Sequence, residues 1–319
     1  MTSQHHSPAN KASPVTVSVD ELLACRQLAA SMRVARKRKV STERIGEMQS
    51  RTLGRGLDFS QLRVYQNGDD IRQIDWNVTA RTGKPHTKLF SLEREKPCFV
   101  VLDLRPGMFF GTRRAFKSVI AARLAAILAW SAVLANDRVG GLVFSASKHV
   151  EIKPETGRRG LMKLFRAISD AFDGGVTTDN PAALPEVVTR LSRLAHTGST
   201  IWFLSDFDGF EDKTKSRFAG LMRHNEVNAI QIADVMESEL PPPGEYRLQS
   251  ANGGLRMDTR GRSMRAVYRS QFLGQQQTLR QCFDHGRHYF TCVYTDDALG
   301  EKATAILHHL PQIRGEEYL

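Results

Sequence analysis

The sequence predicts an α/β protein built on a doubly wound, mainly parallel sheet, preceded by a small strand-rich subdomain. Three observations carry that prediction. Two short β-rich runs, Cys98-Phe-Val-Val-Leu-Asp-Leu104 and Ser199-Thr-Ile-Trp-Phe-Leu-Ser-Asp206, are apolar along nearly their whole length, as strands covered on both faces are. Each of these runs ends in or beside an aspartate. From residue 97 onward such runs alternate with helical stretches, which implies parallel pairing through right-handed crossovers.

Taken in order, residues 1–16 contain no apolar run and read as a disordered tail without an export signal. Residues 17–39 hold a helix and a basic run. Val17 to Met32 has helical apolar spacing at Leu22, Leu23 and Leu28, with Ser18 as N-cap and Glu21 as its capping-box partner. Residues 40–96 are punctuated by Gly54, Gly56, Gly68 and Gly83, leaving room for hairpins and turns but not for long helices. Residues 97–319 form the sheet domain. Its first strand ends at Leu104, and a helix runs from Arg113 to Asn136. Arg138 to Ser145 and His149 to Lys153 read as a hairpin, followed by helices around Leu161–Phe172 and Ala182–Ala195. After the strand at Ser199–Asp206 come a helix from Lys213 to His224 and a strand from Val227 to Asp234. A polar insertion with Pro241-Pro-Pro243 and Gly253-Gly254 then precedes a helix from Met264 to His285, a strand from His288 to Tyr294 and a closing helix.

At 319 residues and 41% hydrophobic composition the chain can bury a sizeable core. The one apolar stretch resembling a membrane span, Val119 to Ala135, carries Arg123 and is shorter than the roughly 20 residues a bilayer requires, so it reads as a core helix. Without a span or leader, a cytoplasmic location is expected. Cys25, Cys98, Cys282 and Cys292 lie too far apart for a Cys-x-x-Cys site and suit reduced thiols. There is no His-Glu-x-x-His run, and His308-His309 fits a helix surface. The net charge of +11 is concentrated at Arg33, Arg36, Lys37, Arg38 and Lys39, which suggests an acidic partner surface. The basic run lacks interleaved aromatics, which argues against nucleic acid.

The densest chemistry lies in Gly56-Leu-Asp-Phe59, Arg63-Val-Tyr65, Gly68-Asp-Asp-Ile-Arg-Gln-Ile-Asp-Trp76, Thr79-Ala-Arg81 and Lys88-Leu-Phe90 with Glu93-Arg-Glu95. Asp58, Arg63, Asp69, Asp70, Arg72, Asp75, Arg81, Glu93 and Glu95 alternate with Phe59, Tyr65, Ile71, Ile74 and Trp76. Aromatics need cover while charges need partners or water, so a charged, partly buried network is expected, acting as an interdomain strut or as a recognition face. This motif resembles the bacterial family catalogued as domain of unknown function 58, over roughly residues 40 to 300. The resemblance implies a von Willebrand factor A-like sheet domain and association with a MoxR-type AAA+ ATPase. It implies no known reaction.

In open α/β sheets ligands bind beyond the carboxyl ends of the strands, where Asp103 and Asp206 fall. In von Willebrand factor A domains that edge holds magnesium through an Asp-x-Ser-x-Ser loop, a threonine and a further aspartate. Here Asp103 and Asp206 match the aspartates and Thr177 or Thr178 is the candidate threonine, but Arg105 and Gly107 replace the two serines. This reads as a degenerate metal site with two alternatives. The Arg105 guanidinium replaces the metal between Asp103 and Asp206, or it points outward and Asp103, Asp206 and Asp208 hold a weak magnesium. Ligand count and charge favour the first, with no cofactor. A third reading has the aspartates simply capping neighbouring helices.

Phosphate-cradling Gly-x-x-x-x-Gly-Lys-Ser/Thr and Gly-x-Ser-x-Gly nucleophile motifs are missing from the sequence. The function that the resemblance implies, and that these absences do not oppose, is a non-enzymatic adaptor or scaffold working with the ATPase in assembly or maturation of client proteins. The alternative is a metal-dependent hydrolase or nuclease using the acidic and basic motif block.

Overall fold

The computed structural model describes residues 13–43, 57–66, 69–92, 96–145, 148–174, 184–250 and 253–316. The chain divides into two compact units, Val40–Glu95 and a larger one containing Met1–Lys39 and Lys96–Glu317.

The larger unit begins with helix α1 (Val19–Glu43). Ser18 caps it, its hydroxyl accepting from the Glu21 amide at 3.3 Å. The expected reciprocal half of the box is replaced, because the Glu21 carboxylate instead pairs with Arg123 at 2.5 Å.

In the smaller unit, β1 (Leu57–Val64) and β2 (His86–Leu92) form an antiparallel pair. Between them lie a 3-10 turn (Ile71–Gln73) and helix α2 (Trp76–Thr82). The helix is a departure from the expected run of hairpins and turns. Asp75 starts it by accepting from the Asn77 and Val78 amides, and Gly83, at φ +70°, ends it in the left-handed conformation that glycine adopts without strain.

The larger unit continues with β3 (Pro97–Leu104), α3 (Lys117–Leu134), β4 (Arg138–Ser145), β5 (His149–Glu155), α4 (Arg158–Asp173), α5 (Leu184–Leu194), β6 (Thr200–Ser205), α6 (Asp212–Met222) and β7 (Glu226–Ala233). The polar insertion contains a short helix, α7 (Val235–Ser238), and a hairpin of β8 (Glu245–Ser250) and β9 (Gly253–Asp258) that the proline and glycine content had concealed. Helix α8 (Arg262–Phe283), β10 (Tyr289–Tyr294) and α9 (Leu299–Glu316) complete it.

The six-stranded sheet has the order β10-β7-β6-β3-β4-β5, with β5 antiparallel and the other neighbours parallel. It is a doubly wound, mainly parallel sheet, as the sequence pattern predicts. The chain builds outward from β3 to β5, then crosses back to lay β6 against the other side of β3. The strand order therefore reverses between β3 and β6, which opens a crevice at their carboxyl ends.

Side-chain alternation along β3 accounts for its continuous apolarity. Cys98, Val100, Leu102 and Leu104 join the core beneath α1, α3 and α4, while Phe99 and Val101 join the core beneath α5, α6 and α8. Gly141 of β4 lets α4 approach, since a Cβ there would lie 2.4 Å from the Val100 carbonyl and 2.9 Å from Leu164 Cδ1. Helix α3 is long and apolar enough to cross a membrane by length and composition, with 78% of it buried within the fold. All four cysteines are free thiols, and burial pushes Cys25 up to about 11 and Cys292 up to about 12.

Candidate functional site

The crevice at the strand-order reversal is filled by paired charges. Asp103, second from the end of β3, is completely buried and would be costly to ionise without partners. Arg105 supplies them. Its Nε donates to Asp103 Oδ1 at 3.0 Å and Oδ2 at 3.1 Å, its Nη2 to Oδ2 at 2.7 Å, and its backbone amide to Oδ1 at 2.9 Å. The Ser205 hydroxyl, at the end of β6, donates to Oδ2 at 2.6 Å. Burial and the neighbouring Asp206 charge push the Asp103 carboxyl up, while the Arg105 guanidinium and Ser205 hydroxyl pull against them.

The same guanidinium lies 3.5 Å from Asp206 Oδ1 and donates to the Asp208 carbonyl at 3.2 Å. Of the two orientations considered for Arg105, the structure has the inward one. The loop from Asp206 to Gly209 reaches this position through strained backbone: buried Phe207 sits at φ +57°, a conformation non-glycine residues rarely adopt. Four ring contacts, to Phe203, Phe210, Phe218 and Phe283, and the bond from its amide to Ser205 Oγ hold it there.

A second buried cation, Lys117, was not anticipated. It is 1% exposed at the first turn of α3, where its Nζ donates to Asp206 Oδ2 at 3.2 Å and Glu237 Oε1 at 2.6 Å. Burial works against its charge, but Asp206 and Glu237 outweigh it and hold the ammonium above the usual lysine range. The one signal in the sequence was a lysine opening an otherwise apolar helical run. Asp234 directly follows β7 and caps α7, whereas its sequence context marks only a strand terminus. Its carboxylate accepts from the Thr112 amide at 2.9 Å, the Thr112 hydroxyl at 2.6 Å, the Met236 amide at 3.0 Å and the Thr295 hydroxyl at 2.5 Å. Against burial, which raises it, the Thr112 and Thr295 hydroxyls hold the Asp234 carboxyl below its ordinary value. Asp234 and Glu237 form a reciprocal capping box on α7, so Glu237 both closes that cap and receives Lys117.

The residues present do not fit a magnesium ion. Both Asp103 oxygens accept from the guanidinium, and Gly107 offers no hydroxyl. A Cβ at Gly107 would stand 2.8 Å from Asp206 Oδ2, so the Asp206 carboxylate already takes the space a second serine would need. Among the described residues no group of three His, Cys, Asp or Glu side chains is placed to hold a metal. Thr177 and Thr178, the candidate threonine ligands, lie outside the described residues.

Beside the paired charges is an open cleft of about 340 Å³, walled by Phe272 and Tyr268 of α8 and floored by Gln231 of β7. Lys117, Asp206, Asp208 and Glu237 also line it.

Of the charged, partly buried network expected in the motif block, the described residues show these contacts. Arg63 and Asp69 form a half-buried ion pair at 2.6 Å, and Asp69 also accepts from the Gln66 amide. Asp70 and Asp75 cap the 3-10 turn and α2. Arg72 and Arg81 are exposed, Tyr65 is half-buried, and Ile71 and Trp76 are 63% and 67% exposed. The aromatic cover expected of Trp76 is not formed, because the short α2 buries none of its residues. The side chain of Asp58, and all of Glu93 and Glu95, lie outside the described residues.

Residues 61–278 match the family described as protein of unknown function DUF58. Curated relatives include uncharacterized proteins of Mycobacterium tuberculosis and Mycobacterium bovis, each 31% identical over 204 residues, covering 63% of this chain and 63% of theirs. The chain thus spans about 63% of the length of those relatives. Among solved structures, BatB from Bacteroides thetaiotaomicron aligns over 68% of this chain and 99% of its own with 14% identity and a TM-score of 0.45. A von Willebrand factor type A protein from Catenulispora acidiphila aligns over 69% of this chain and 43% of its own with 11% identity and a TM-score of 0.35.

Proposed function

The chain belongs to the DUF58 family, and we propose that it is a non-enzymatic protein-interaction adaptor or scaffold whose sheet edge is held ready by internal cations instead of a metal. The observation that supports this reading is the double brace at the strand-order reversal: Arg105 joins Asp103 to Asp206, and Lys117 joins Asp206 to Glu237. An edge braced in this way supports a fixed surface, since Arg105 and Lys117 are both committed to carboxylates of the fold. The partner, by the motif's resemblance, is a MoxR-type AAA+ ATPase, the role is assembly or maturation of client proteins, and the location is the cytoplasm. Exposed Trp76, with Arg72 and Arg81 of the same motif also exposed, supports a recognition face on the smaller unit, since Trp and Arg are the side chains that most often anchor interfaces.

The test is affinity purification from the native host in ATP-trapped and ATP-free states, with the parent and Trp76→Ala compared by mass spectrometry. Recovery of the ATPase with the parent and its loss with the variant is the expected result. Turnover of ATP, nucleic acid or esters that survives rigorous purification and disappears in Asp75→Asn overturns the non-enzymatic reading.

A further inference from the structure

We propose that the cleft between β7 and α8 is a receptor for a guanidinium group, the side chain of an arginine presented by a partner protein. This rests on the interaction reading above and names the chemical group that the sheet edge takes.

The cleft's one cationic side chain is already paired, and the buried lining atom without a partner among the described residues is an acceptor. Lys117 donates to Asp206 and Glu237. Gln231 is 2% exposed and lines the cleft, yet its Oε1 has no hydrogen-bond partner among the described residues. A buried carbonyl oxygen left in this way carries an unrecovered desolvation cost, which a ligand N–H offsets. Asp208 is exposed at the rim and its carboxylate accepts no hydrogen bond among the described residues, although it feels the Arg105 charge. Lining charge is also one-sided: Asp206, Asp208 and Glu237 face Lys117 alone, and the Arg105–Asp103 pair behind them is neutral.

Ligand shape follows from the walls. Phe272 and Tyr268 stand on α8 across from Gln231, and the Tyr268 hydroxyl is turned away to the Met236 carbonyl at 3.1 Å, leaving ring surface for the ligand. A planar cation with several N–H donors can stack on such rings while reaching a deep carbonyl and a rim carboxylate together. A compact ammonium reaches fewer of these acceptors at once. The volume, near the lower end of small-ligand pockets, suits one side chain.

The test is an NMR titration of the full chain with N-acetyl-arginine amide, with N-acetyl-citrulline amide as the uncharged isostere and N-acetyl-glutamate amide as the opposite charge. Saturable shifts at the Gln231 side-chain amide and the Phe272 ring are expected with arginine. Citrulline should bind at least tenfold more weakly, and Asp208→Asn and Gln231→Leu should each weaken arginine binding at least threefold. Asp208 is exposed, so its variant keeps the test valid if the Gln231 variant fails to fold. Equal binding of citrulline, preferential binding of glutamate, or no saturable shift at the cleft overturns the proposal. The titration needs no partner, so failure to recover the ATPase leaves its outcome unaffected, and a silent cleft leaves the purification result unaffected.

Discussion

The Asp103–Arg105 pair can be tested by a double-mutant cycle. Asp103 is fully buried and the Arg105 side chain only 11% exposed, so Arg105→Met leaves a buried carboxylate with just Ser205 and one backbone amide as donors. Breaking a buried pair from one side costs about 3–5 kcal/mol. Asp103→Asn should cost less, about 2–3 kcal/mol, because Arg105 keeps Asp206 at 3.5 Å and the Asp208 carbonyl at 3.2 Å. If the two residues act as one unit, the double variant costs about 2–3 kcal/mol less than the sum of the single changes. Urea unfolding followed by circular dichroism reads these values as midpoint shifts at constant slope. The cost of Arg105→Met should also shrink at acid pH, because the Asp103 carboxyl, already pushed up by burial, then takes a proton in place of the guanidinium. Additivity within about 0.5 kcal/mol, or a single Arg105 cost under about 1 kcal/mol, refutes the brace.

Three further outcomes are expected. The parent should show no magnesium binding by calorimetry, whereas Arg105→Ser with Gly107→Ser, which pushes Asp206 off its present position, should bind the ion and gain about 1.4 kcal/mol of stability at ten times Kd; parent binding abolished by Asp103→Ala would overturn this. In the smaller unit, Asp75→Ala should cost about 1 kcal/mol through the lost cap of α2, and exposed Arg81→Ala should stay within about 0.5 kcal/mol; equal losses of several kcal/mol in thermal melts would mean a buried network after all. Burial first, then His285 and Arg287, depress His288 to about 4, and its Nδ1 accepts from the Val227 amide at 3.2 Å. The unfolded chain therefore takes up a proton below about 6.5 that the folded chain refuses, so stability is full above that pH and falls by about 2–3 kcal/mol as pH drops toward 4.5. In His288→Gln that part of the loss should vanish, and an unchanged pH dependence of the urea midpoint would refute the assignment.

Much of the architecture could be read from local pattern. The runs at Cys98–Leu104 and Ser199–Asp206 were legible because a strand covered on both faces must be apolar at every position. Trp76–Thr82 was missed as a helix because its signal is a single cap, Asp75, followed by a stretch too short to show a period. The hairpin of β8 and β9 was missed for a similar reason: its exposed strands carry little apolar alternation amid glycine and proline.

At the site, the two aspartates at strand ends and the Arg105 and Gly107 that stand where serines would be are legible without a fold, because strand ends and residue identities are local properties. Ligand count and charge also favour the inward orientation of Arg105, which the structure has. Assembly of the fold brings Lys117, at the start of α3, to Asp206 and Glu237, residues 89 and 120 positions away, and lets Asp234 gather Thr112 and Thr295 from 122 and 61 positions away. The same holds for the unpartnered Gln231 oxygen and the exposed face of Trp76. Burial, pairing and exposure are set by which elements the crossovers bring together, and a buried charge is tolerated only where that assembly supplies its partner.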